Sequence, residues 1–331
     1  MSQTVCPACG QGAFEPREFI DVAEQHKLYA PDNKETQQEL TAAASETASS
    51  YQMLSCRHCG LEFSIPMHAP SAAWYHLAYR ALQPYPDAPW KPPHRWEFDE
   101  VLRHIPQGDH VFEFGCGFGP FLERCRENGV TASGIDFSQD AVAECLANGL
   151  DAREFDLNEI ASVTEEDRFP QIAAFHFLEH LDQPAALFKQ AALRALPSAH
   201  LWVSVPGDRR PSRIFGERDF MDQPPHHMTR WTPAAFREIG IRYGWCLTEV
   251  TYEPIPLRAA LWSISTHSAA YRRWRNAGWL RNPLVERTFR ASAWPVALFR
   301  RLTINRRLSG FSMLAHFVFD IHSRGTAAHP G

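Results

Sequence analysis

The chain has 331 residues, which is long for one domain and sufficient for a large domain with a smaller appendage. Its composition, 44% hydrophobic and 21% charged, excludes a disordered or fibrous chain, and its formal net charge of -5 provides no overall attraction to nucleic acid or acidic lipid. The N-terminus lacks the pattern of a signal peptide, and no run of about 18 apolar residues occurs. We therefore expect a cytoplasmic protein whose eight cysteines are thiols or metal ligands.

Two Cys-x-x-Cys-Gly motifs stand near the N-terminus, "CPACG" at residues 6–10 and "CRHCG" at residues 56–60. Each resembles a zinc knuckle, in which two thiolates bind the metal, and two knuckles supply four sulfurs for a tetrahedral structural Zn²⁺ site. The implied ligands are Cys6, Cys9, Cys56 and Cys59. The alternative is two unmetallated thiol motifs, because the gap between the pairs is long for a compact zinc ribbon. A redox role is disfavoured, because neither pair lies in the strand-to-helix context of thioredoxin.

Five prolines between residues 82 and 96 separate the cysteine segment from the rest of the chain. Proline at this density favours an extended linker or hinge, so we place a domain boundary there. The polar segment between the two cysteine motifs is either a flexible excursion or an exposed helix. The predicted organisation is a zinc-knuckle module over 1–66, a Pro-rich linker over 67–96, an α/β domain over 97–256 and 310–322, and an Arg- and Trp-rich helical insertion over 257–309.

From residue 97 onward, short apolar runs alternate with amphipathic stretches. The strand candidates are "HVFEF", "TASGIDF", "DAREFDL", "QIAAFHFL", "AHLWVSVP", "CLTEVTYEPI" and, near the end, "GFSMLAHFVFDI". Helix candidates lie between them, and two carry N-terminal capping residues at Ser138 and Thr232. Strands that alternate with helices predict an α/β fold with a doubly wound parallel sheet.

The stretch "FEFGCGFGPFL", residues 112–122, joins the first of these strands to the first helix. Its glycines allow a sharp turn and a close approach of a ligand to the main chain. They are Gly115, Gly117 and Gly119. A dinucleotide fingerprint requires a third glycine where Pro120 stands. Glu113 would repel a pyrophosphate, so the loop suits a ligand that carries positive charge, such as an amino group or a sulfonium.

On these residues the chain resembles the class I S-adenosylmethionine-dependent methyltransferases, over most of 97–255 and again over 310–321. The resemblance implies a Rossmann-like sheet of seven strands, the last antiparallel, that binds S-adenosyl-L-methionine. Asp136 matches the carboxylate that accepts hydrogen bonds from both ribose hydroxyls, and Asp156 matches the acid that binds the adenine amino group. Asp156 is alternatively a solvated turn residue, and Phe177 alternatively belongs to the core of the fourth strand. The other implied cofactor contacts are Glu113, Gly115, Gly117, Gly119, Phe137 and Leu157.

Two further segments, "HFLEHL" at 176–181 and "PPHHMTRWTP" at 224–233, resemble the acceptor side of one large branch of this family. Methyl transfer from a sulfonium needs mainly orientation, and a hydroxyl acceptor also needs a base, a task that suits histidine. The candidates are His180, His226 and His227. Each has a structural alternative, because His180 can brace its loop and the other two can anchor theirs by hydrogen bonds. No Asn-Pro-Pro-Tyr run follows the fourth strand, so methyltransferases that act on amino groups of DNA or glutamine are not indicated.

The segment from Arg258 to Arg324 contains twelve arginines, no lysine and only two acidic residues. It can bind an anionic substrate, a phospholipid surface or nucleic acid, or its tryptophans can pack helices onto the core. The sequence as a whole predicts methyl transfer to a small-molecule or glycan-type acceptor, on a hydroxyl, with zinc in an architectural role. The alternatives are an RNA methyltransferase, which is less favoured, and a binding protein that keeps the cofactor but has lost catalysis.

Overall fold

A computed structural model describes most of the chain. The described residues are 4–44, 48–82, 95–155, 157, 164, 167–279, 284–289, 295 and 308–320. The chain forms two compact units, the first made of Met1–Pro206, Phe220–Thr251 and Met313–Gly331, the second of Gly207–Asp219 and Tyr252–Ser312.

Strands and helices alternate along most of the chain. In chain order the strands are β1 (Phe14–Asp21), β2 (Ser50–Cys56), β3 (Glu62–Ile65), β4 (His110–Phe114), β5 (Thr131–Asp136), β6 (Asp151–Glu154), β7 (Phe169–Phe175), β8 (Ala195–Pro206), β9 (Thr229–Arg230), β10 (Trp245–Tyr252) and β11 (Ser312–Phe319). The helices are α1 (Val22–Tyr29), α2 (Lys34–Ala43), α3 (Ala72–Leu82), α4 (Trp96–Leu102), α5 (Pro120–Glu127), α6 (Gln139–Ala147), α7 (Pro184–Leu193), α8 (Pro211–Phe215), α9 (Pro233–Arg242), α10 (Leu257–Thr266) and α11 (Ala269–Asn276).

The larger sheet has seven strands in the order β6, β5, β4, β7, β8, β11, β10. The strands from β6 to β8 pair in parallel. β11 runs antiparallel to β10. This direction is seen in the hydrogen bond from the N–H of Asp320, just after the end of β11, to the carbonyl of Gly244, just before the start of β10. The predicted seven-stranded α/β sheet with an antiparallel last strand is therefore confirmed.

The centre of this sheet is apolar, as the continuous hydrophobic run at the fourth predicted strand indicates. Ile172, Ala173 and Ala174 of β7 are fully buried, the pattern of a parallel strand covered on both faces. Helices α4 and α5 contribute Phe98 and Phe121 to the core on this sheet. The strands are thus held rigidly, and their carboxyl ends meet at one edge, where open α/β sheets bind their ligands.

A second sheet, which the sequence analysis did not predict, has four antiparallel strands in the order β1, β2, β3, β9. Its first three strands belong to the N-terminal segment, whereas β9 comes from the chain after β8. Helices α1 and α3 pack on it through Tyr29 and Trp74, which share one buried cluster with Tyr51 and Met228. The N-terminal segment and the loop after β8 are therefore one structural unit.

Two segments outside the predicted α/β domain are helical, one that the sequence left open and one predicted as part of the linker. The polar stretch between the cysteine motifs forms α2, where the side chain of Asn33 caps the first turn by accepting from the N–H of Thr36 at 3.1 Å. Residues 72–82, inside the range predicted as a linker, form α3 and bury Trp74 and Leu82. The prolines at 83–94 lie outside the described residues.

The second unit contains α8, α10 and α11. Leu261 and Ile264 of α10 form its small core with Leu308. Trp294 and most arginines beyond residue 279 lie outside the described residues. Among the helices that the structure describes, none is long and apolar enough to span a membrane.

Candidate active site and cysteine centre

The glycine loop lies between the end of β4 and the start of α5. Gly115 has a φ of +71°, and a Cβ on this residue would lie 2.3 Å from Cδ2 of Phe177. Phe177 therefore packs directly on the turn, where only glycine leaves it room. The sequence placed both residues at the cofactor, and the structure brings them together at the carboxyl ends of β4 and β7.

Replacing Gly115 with alanine should destabilise the chain by about 2–3 kcal/mol and weaken binding of S-adenosylhomocysteine, because the left-handed backbone is strained and Phe177 must move. Gly129→Ala is the matched control, since Gly129 has a φ of +70° with nothing within 4 Å of its Cβ position. That variant should lose about 1 kcal/mol and keep its affinity. Chemical denaturation and calorimetry measure the two effects; equal losses and unchanged affinity in both variants would contradict this role of Phe177.

Asp136, at the end of β5, is held by two backbone donors. Its Oδ2 accepts from the N–H of Gly117 at 2.8 Å, and its Oδ1 accepts from the N–H of Ser138 at 2.9 Å. Burial raises the pKa of Asp136, and the backbone hydrogen bonds oppose that rise. Each oxygen keeps a lone pair for a further donor. Gly117 has open space at its Cβ position, so a ligand can reach this carboxylate along the loop.

Glu113 is the second acid of the loop, and it is 2% exposed. Its Oε2 has no hydrogen-bond partner among the described residues. Burial raises the pKa of this carboxyl well above its ordinary value, and the charge of Arg95 only partly offsets the effect. A buried acceptor without a donor is costly. The loop therefore fits a ligand that brings a cationic or hydrogen-bonding group, as an amino acid portion with a sulfonium does.

Three of the remaining predicted cofactor contacts, Phe137, Leu157 and Gly119, are among the described residues. Phe137 follows Asp136 and is 44% exposed, whereas Leu157 is buried. Gly119 is the N-cap of α5, where a Cβ would lie 2.6 Å from Leu150, so this glycine serves helix packing as well. Asp156 lies outside the described residues.

A buried chain of charged groups lies behind Phe177, and the sequence analysis missed it. His176 has Nε2 3.1 Å from Oε1 of Glu97 and Nδ1 3.1 Å from Oε1 of Glu179. Burial alone would lower the pKa of His176, but the two carboxylates outweigh it and raise that pKa. His176 also adopts a φ of 49°, a strained conformation for a residue other than glycine. The ion triad fixes the turn that carries Phe177 and His180.

The three predicted histidines are brought together. The ring centroids of His180 and His226 are 5.2 Å apart, those of His180 and His227 4.7 Å, and those of His226 and His227 4.9 Å. His226 and His227 are 2% and 7% exposed. The main chain fixes the arrangement, since the N–H of Met228 donates to the carbonyl of Glu179 at 2.7 Å.

Each of these rings has a hydrogen bond at Nδ1. Nδ1 of His180 donates to the carbonyl of His226 at 2.8 Å, which agrees with the predicted bracing role. Nδ1 of His226 lies 2.9 Å from the hydroxyl of Tyr29, and Nδ1 of His227 lies 3.2 Å from Oδ1 of Asp222. Neither partner was predictable from local patterns, because Tyr29 stands far away along the chain and Asp222 ends a 3-10 helix of only three residues.

Aromatic side chains enclose the histidine cluster, which we define as His180, His226 and His227. Tyr75 contacts the rings of His180 and His226 at centroid distances of 5.4 and 5.9 Å, and that of Phe137 at 6.5 Å. Burial lowers the pKa of His180 to about 4 and that of His226 well below its ordinary value. These two rings are therefore neutral near pH 7. Tyr75 connects the cofactor side of the site with the histidine cluster.

The four N-terminal cysteines form one compact group. All four sulfurs lie within 4.8 Å of one another, with 3.6 Å between Cys6 and Cys59 and 3.5 Å between Cys9 and Cys56. For a Zn–S bond of about 2.3 Å, the sulfurs of a tetrahedral site are about 3.8 Å apart. Both motifs turn in the same way, since the glycine after each pair donates its N–H to the carbonyl of the first cysteine at 2.9 Å. The four thiols thus fit a tetrahedral zinc ion.

This cysteine centre is attached to helix α9. Arg242 donates through Nη1 to the carbonyls of Pro7 and Ala8 at 3.0 and 2.8 Å. The hydroxyl of Thr232, the N-cap residue of α9, donates to the carbonyl of Cys59 at 2.7 Å. The cysteine centre therefore connects the N-terminal sheet with α9, the helix that follows the loop carrying His226 and His227.

Comparison with known proteins agrees with this geometry. Residues 94–250 match the family model described as a methyltransferase domain. The chain is 27% identical over 114 residues to a ubiquinone biosynthesis O-methyltransferase of Coxiella burnetii, covering 31% of this chain and 48% of the relative. It is 29% identical over 119 residues to the enzyme of the same name from Hahella chejuensis, covering 34% and 49%. The chain thus spans about half the length of these relatives.

Solved structures with a similar arrangement include an S-adenosylmethionine-dependent methyltransferase from Archaeoglobus fulgidus, with 19% identity, a TM-score of 0.44, and coverage of 67% of this chain and 92% of that one. Another, from Mesorhizobium loti, has 16% identity, a TM-score of 0.41, and coverage of 67% and 97%.

The sheet order and the family match show a Rossmann-like methyltransferase fold, with the match covering residues 94–250. The named relatives match about a third of the chain.

Proposed function

We propose that this protein transfers the methyl group of S-adenosyl-L-methionine to a hydroxyl of a small-molecule or glycan-type acceptor. The observation that carries the proposal is Asp136, a buried carboxylate held by the N–H of Gly117 beside an open glycine loop. Its free lone pairs suit the two ribose hydroxyls, and Glu113 suits the cationic end of the cofactor. When bound, S-adenosyl-L-methionine supplies an activated methyl group.

The acceptor side of the proposal rests on the histidine cluster. His227 has the geometry of a base, because Oδ1 of Asp222, 3.2 Å from Nδ1, orients its ring. Nε2 of His227 then takes the proton of the acceptor hydroxyl. Burial lowers the pKa values of His180 and His226, and neither ring has a carboxylate at Nδ1 as His227 has. The aromatic rings of Tyr75 and Tyr79, stacked at 6.2 Å, suit an acceptor with a flat or apolar portion.

The names of the relatives support an oxygen acceptor, since these proteins are O-methyltransferases. The test is calorimetry with S-adenosylhomocysteine, followed by transfer of radiolabelled methyl to a panel that includes catechol and simple sugars. Absence of cofactor binding would overturn the proposal. Cofactor binding without transfer to any acceptor would favour the non-catalytic alternative, and copurifying nucleic acid would favour the RNA methyltransferase alternative.

Replacing His227 with alanine should lower the turnover number by a factor of about 10²–10⁴, the usual contribution of a general base. Affinity for S-adenosylhomocysteine should stay unchanged, because His227 acts on the acceptor. His200→Ala is the control, since His200 also lies beside a second histidine, with Nδ1 2.8 Å from Nε2 of His316, but belongs to neither predicted site. Turnover that persists in His227→Ala, with an unaltered pH profile, would exclude His227 from proton transfer.

We further propose that the cysteine centre holds a structural Zn²⁺ through Cys6, Cys9, Cys56 and Cys59, as their spacing supports. Its effect on the acceptor side passes through the N-terminal sheet. The N–H of Ser64 in β3 donates to the carbonyl of Met228 at 3.0 Å, next to His227. A rigid cysteine centre therefore fixes the loop that carries two of the three histidines.

The second unit supports contact with an anionic partner, which we propose to be a phospholipid surface or an anionic part of the acceptor. Arg272, Arg273 and Arg275 of α11 are exposed, and Trp279 is 58% exposed. Salt-sensitive sedimentation with vesicles containing phosphatidylglycerol, compared with phosphatidylcholine alone, tests the surface. Equal sedimentation with both compositions would exclude electrostatic binding to membranes.

A further inference from the structure

The histidine cluster has the dimensions of a metal site. One ring nitrogen from each of the three histidines lies within 4.8 Å of the other two. Their ring centroids are separated by 4.7–5.2 Å. Three imidazoles that bind one tetrahedral ion at about 2.0–2.1 Å have centroids about 5 Å apart. The rings therefore already have the spacing that a shared ion requires.

The hydrogen bonds of the cluster leave the same nitrogen free on each ring. Nδ1 is occupied in all three, by the carbonyl of His226, the hydroxyl of Tyr29 and the carboxylate of Asp222. A carbonyl or carboxylate at the second nitrogen is the usual arrangement around a metal-bound histidine, because it fixes the tautomer and the ring orientation. The Nε2 atoms have no hydrogen-bond partner within the part of the chain that the structure describes.

The histidine cluster lies in a largely buried, aromatic environment. His226 and His227 are almost fully buried, and aromatic rings, among them Tyr75 and Trp74, surround His226. Ring nitrogens that lie within 4.8 Å of one another can share one ion, and the exclusion of bulk water strengthens electrostatic contacts in such a site. A single cation between the three rings therefore suits this position.

We propose that His180, His226 and His227 bind one divalent transition-metal ion through their Nε2 atoms, with a further position open for the acceptor oxygen. The proposal rests on the proposed function and replaces one step of it: with the ion bound, Nε2 of His227 is a ligand, and the ion instead of this nitrogen activates the acceptor hydroxyl. Three neutral ligands leave the charge of the ion uncompensated, which favours an ionised oxygen beside it. The O–H bond of the acceptor breaks, its electron pair stays on oxygen, and the proton passes to solvent. That oxygen then forms the bond to the methyl carbon, while the carbon–sulfur bond breaks and its pair goes to sulfur.

The ligand set indicates which ions fit. Imidazole nitrogen suits Zn²⁺, Fe²⁺, Co²⁺, Ni²⁺ and Cu²⁺, whereas Mg²⁺ prefers oxygen ligands. Three histidines with an open position are also the ligand set of catalytic zinc, in contrast to the closed four-sulfur set of the cysteine centre. Zn²⁺ and Co²⁺ are therefore the appropriate probes.

The test is metal stoichiometry in the full-length reduced chain, measured by equilibrium dialysis against Zn²⁺ and elemental analysis. The wild-type chain and His200→Ala should bind two ions, one at each cluster, whereas His226→Ala and His227→Ala should bind one. Titration with Co²⁺ identifies the site, since the cysteine centre gives sulfur-to-metal charge-transfer bands and the histidine cluster does not. One ion in the wild-type chain, or two ions in both histidine variants, would overturn the proposal, as would binding of Mg²⁺ in place of Zn²⁺.

Tyr29→Phe keeps the test decisive if the alanine variants fail to fold. It removes only the hydroxyl that holds Nδ1 of His226, and it should weaken Zn²⁺ affinity at the cluster by a factor of about 10–100. Unchanged affinity in that variant would count against the site. Calorimetry with S-adenosylhomocysteine separates the two proposals. If the chain binds the cofactor but only one zinc ion, the proposed function stands and the metal site at the histidine cluster is contradicted. If it binds two zinc ions but no cofactor, the metal site stands and the proposed function is contradicted.

Discussion

Replacing Asp136 with alanine should weaken the affinity for S-adenosylhomocysteine by a factor of about 10²–10⁴. Two hydrogen bonds from ribose hydroxyls to a buried carboxylate contribute about 1.5–3 kcal/mol each, and both are lost. The variant also loses the hydrogen bond that the N–H of Gly117 donates to Oδ2 of Asp136 at 2.8 Å. The loop then lacks the contact that holds it open for the ligand. Isothermal titration calorimetry measures the change.

Asp140→Ala is the matched control, because Asp140 lies four residues further along, is exposed in the first turn of α6, and carries the same charge. Its affinity should equal that of the wild-type chain, which would exclude a general electrostatic effect. Equal affinity in Asp136→Ala and the wild-type chain would contradict the assignment of this carboxylate to the cofactor and, with it, the central functional proposal.

Replacing Cys59 with serine should abolish tight zinc binding at the cysteine centre and lower the free energy of unfolding by about 3–5 kcal/mol, a loss typical of a removed structural metal. The physical reason is that the ion joins two segments separated by almost fifty residues, Cys6 and Cys9 on one side and Cys56 and Cys59 on the other. Without the ion, three thiols and a hydroxyl stay crowded together, and the turn whose carbonyl at residue 59 accepts from Thr232 at the start of α9 is held less firmly. Thermal unfolding and zinc release to a chromogenic chelator measure the effect.

Cys246→Ser provides the control for this variant, since Cys246 is an exposed thiol outside the cluster. It should retain the stability and the zinc content of the wild-type chain. In Cys59→Ser the sulfur-to-cobalt bands should disappear while any Co²⁺ bound by the histidine cluster remains. A stable Cys59→Ser chain with a full complement of zinc would show that the four cysteines are unmetallated thiols.

The N-terminal sheet includes one strand from the range that the family model matches. The family match begins at residue 94, yet β9, which lies inside that match, is the fourth strand of a sheet whose other strands precede it. Arg230 of β9 connects the two segments by ion pairs, with Nη1 3.0 Å from Oε2 of Glu62 and Nε 3.0 Å from Oδ2 of Asp222. The loop that carries His226 and His227 is thus held in part by residues that precede the matched range, such as Glu62.

Local patterns were sufficient to predict the seven-stranded sheet and the glycine loop. The period and length of each apolar run specify a strand or a helix, and the capping residues Ser138 and Thr232 fix where two helices begin. The loop is short, so its glycines, Glu113 and the carboxylate after the next strand are specified by neighbours within about 25 residues. The four cysteines were predictable for a similar reason, since each pair is a self-contained turn.

The sequence could not indicate the partners that give the site its chemistry. Tyr29, Tyr75 and Glu97 reach the histidines from elements far away along the chain, and none of them stands in a recognisable motif. Asp222 is near His227 in sequence, but no local pattern indicates that it contacts this ring. The N-terminal sheet was missed because β9 has two residues, too few for a periodic pattern. The side-chain hydrogen bonds that fix the ring orientations depend on packing between these distant elements.

The amino-acid sequence alone determined the α/β architecture, the position of the loop for a cationic cofactor, and the four cysteines that can hold a metal ion, because these features depend on local spacing and residue type. The tertiary structure alone decided that three histidines from two separate loops meet, with Nδ1 of each hydrogen-bonded and Nε2 of each free of a partner within the described chain. That convergence is a matter of burial and of contacts between segments more than forty residues apart, which local spacing does not encode.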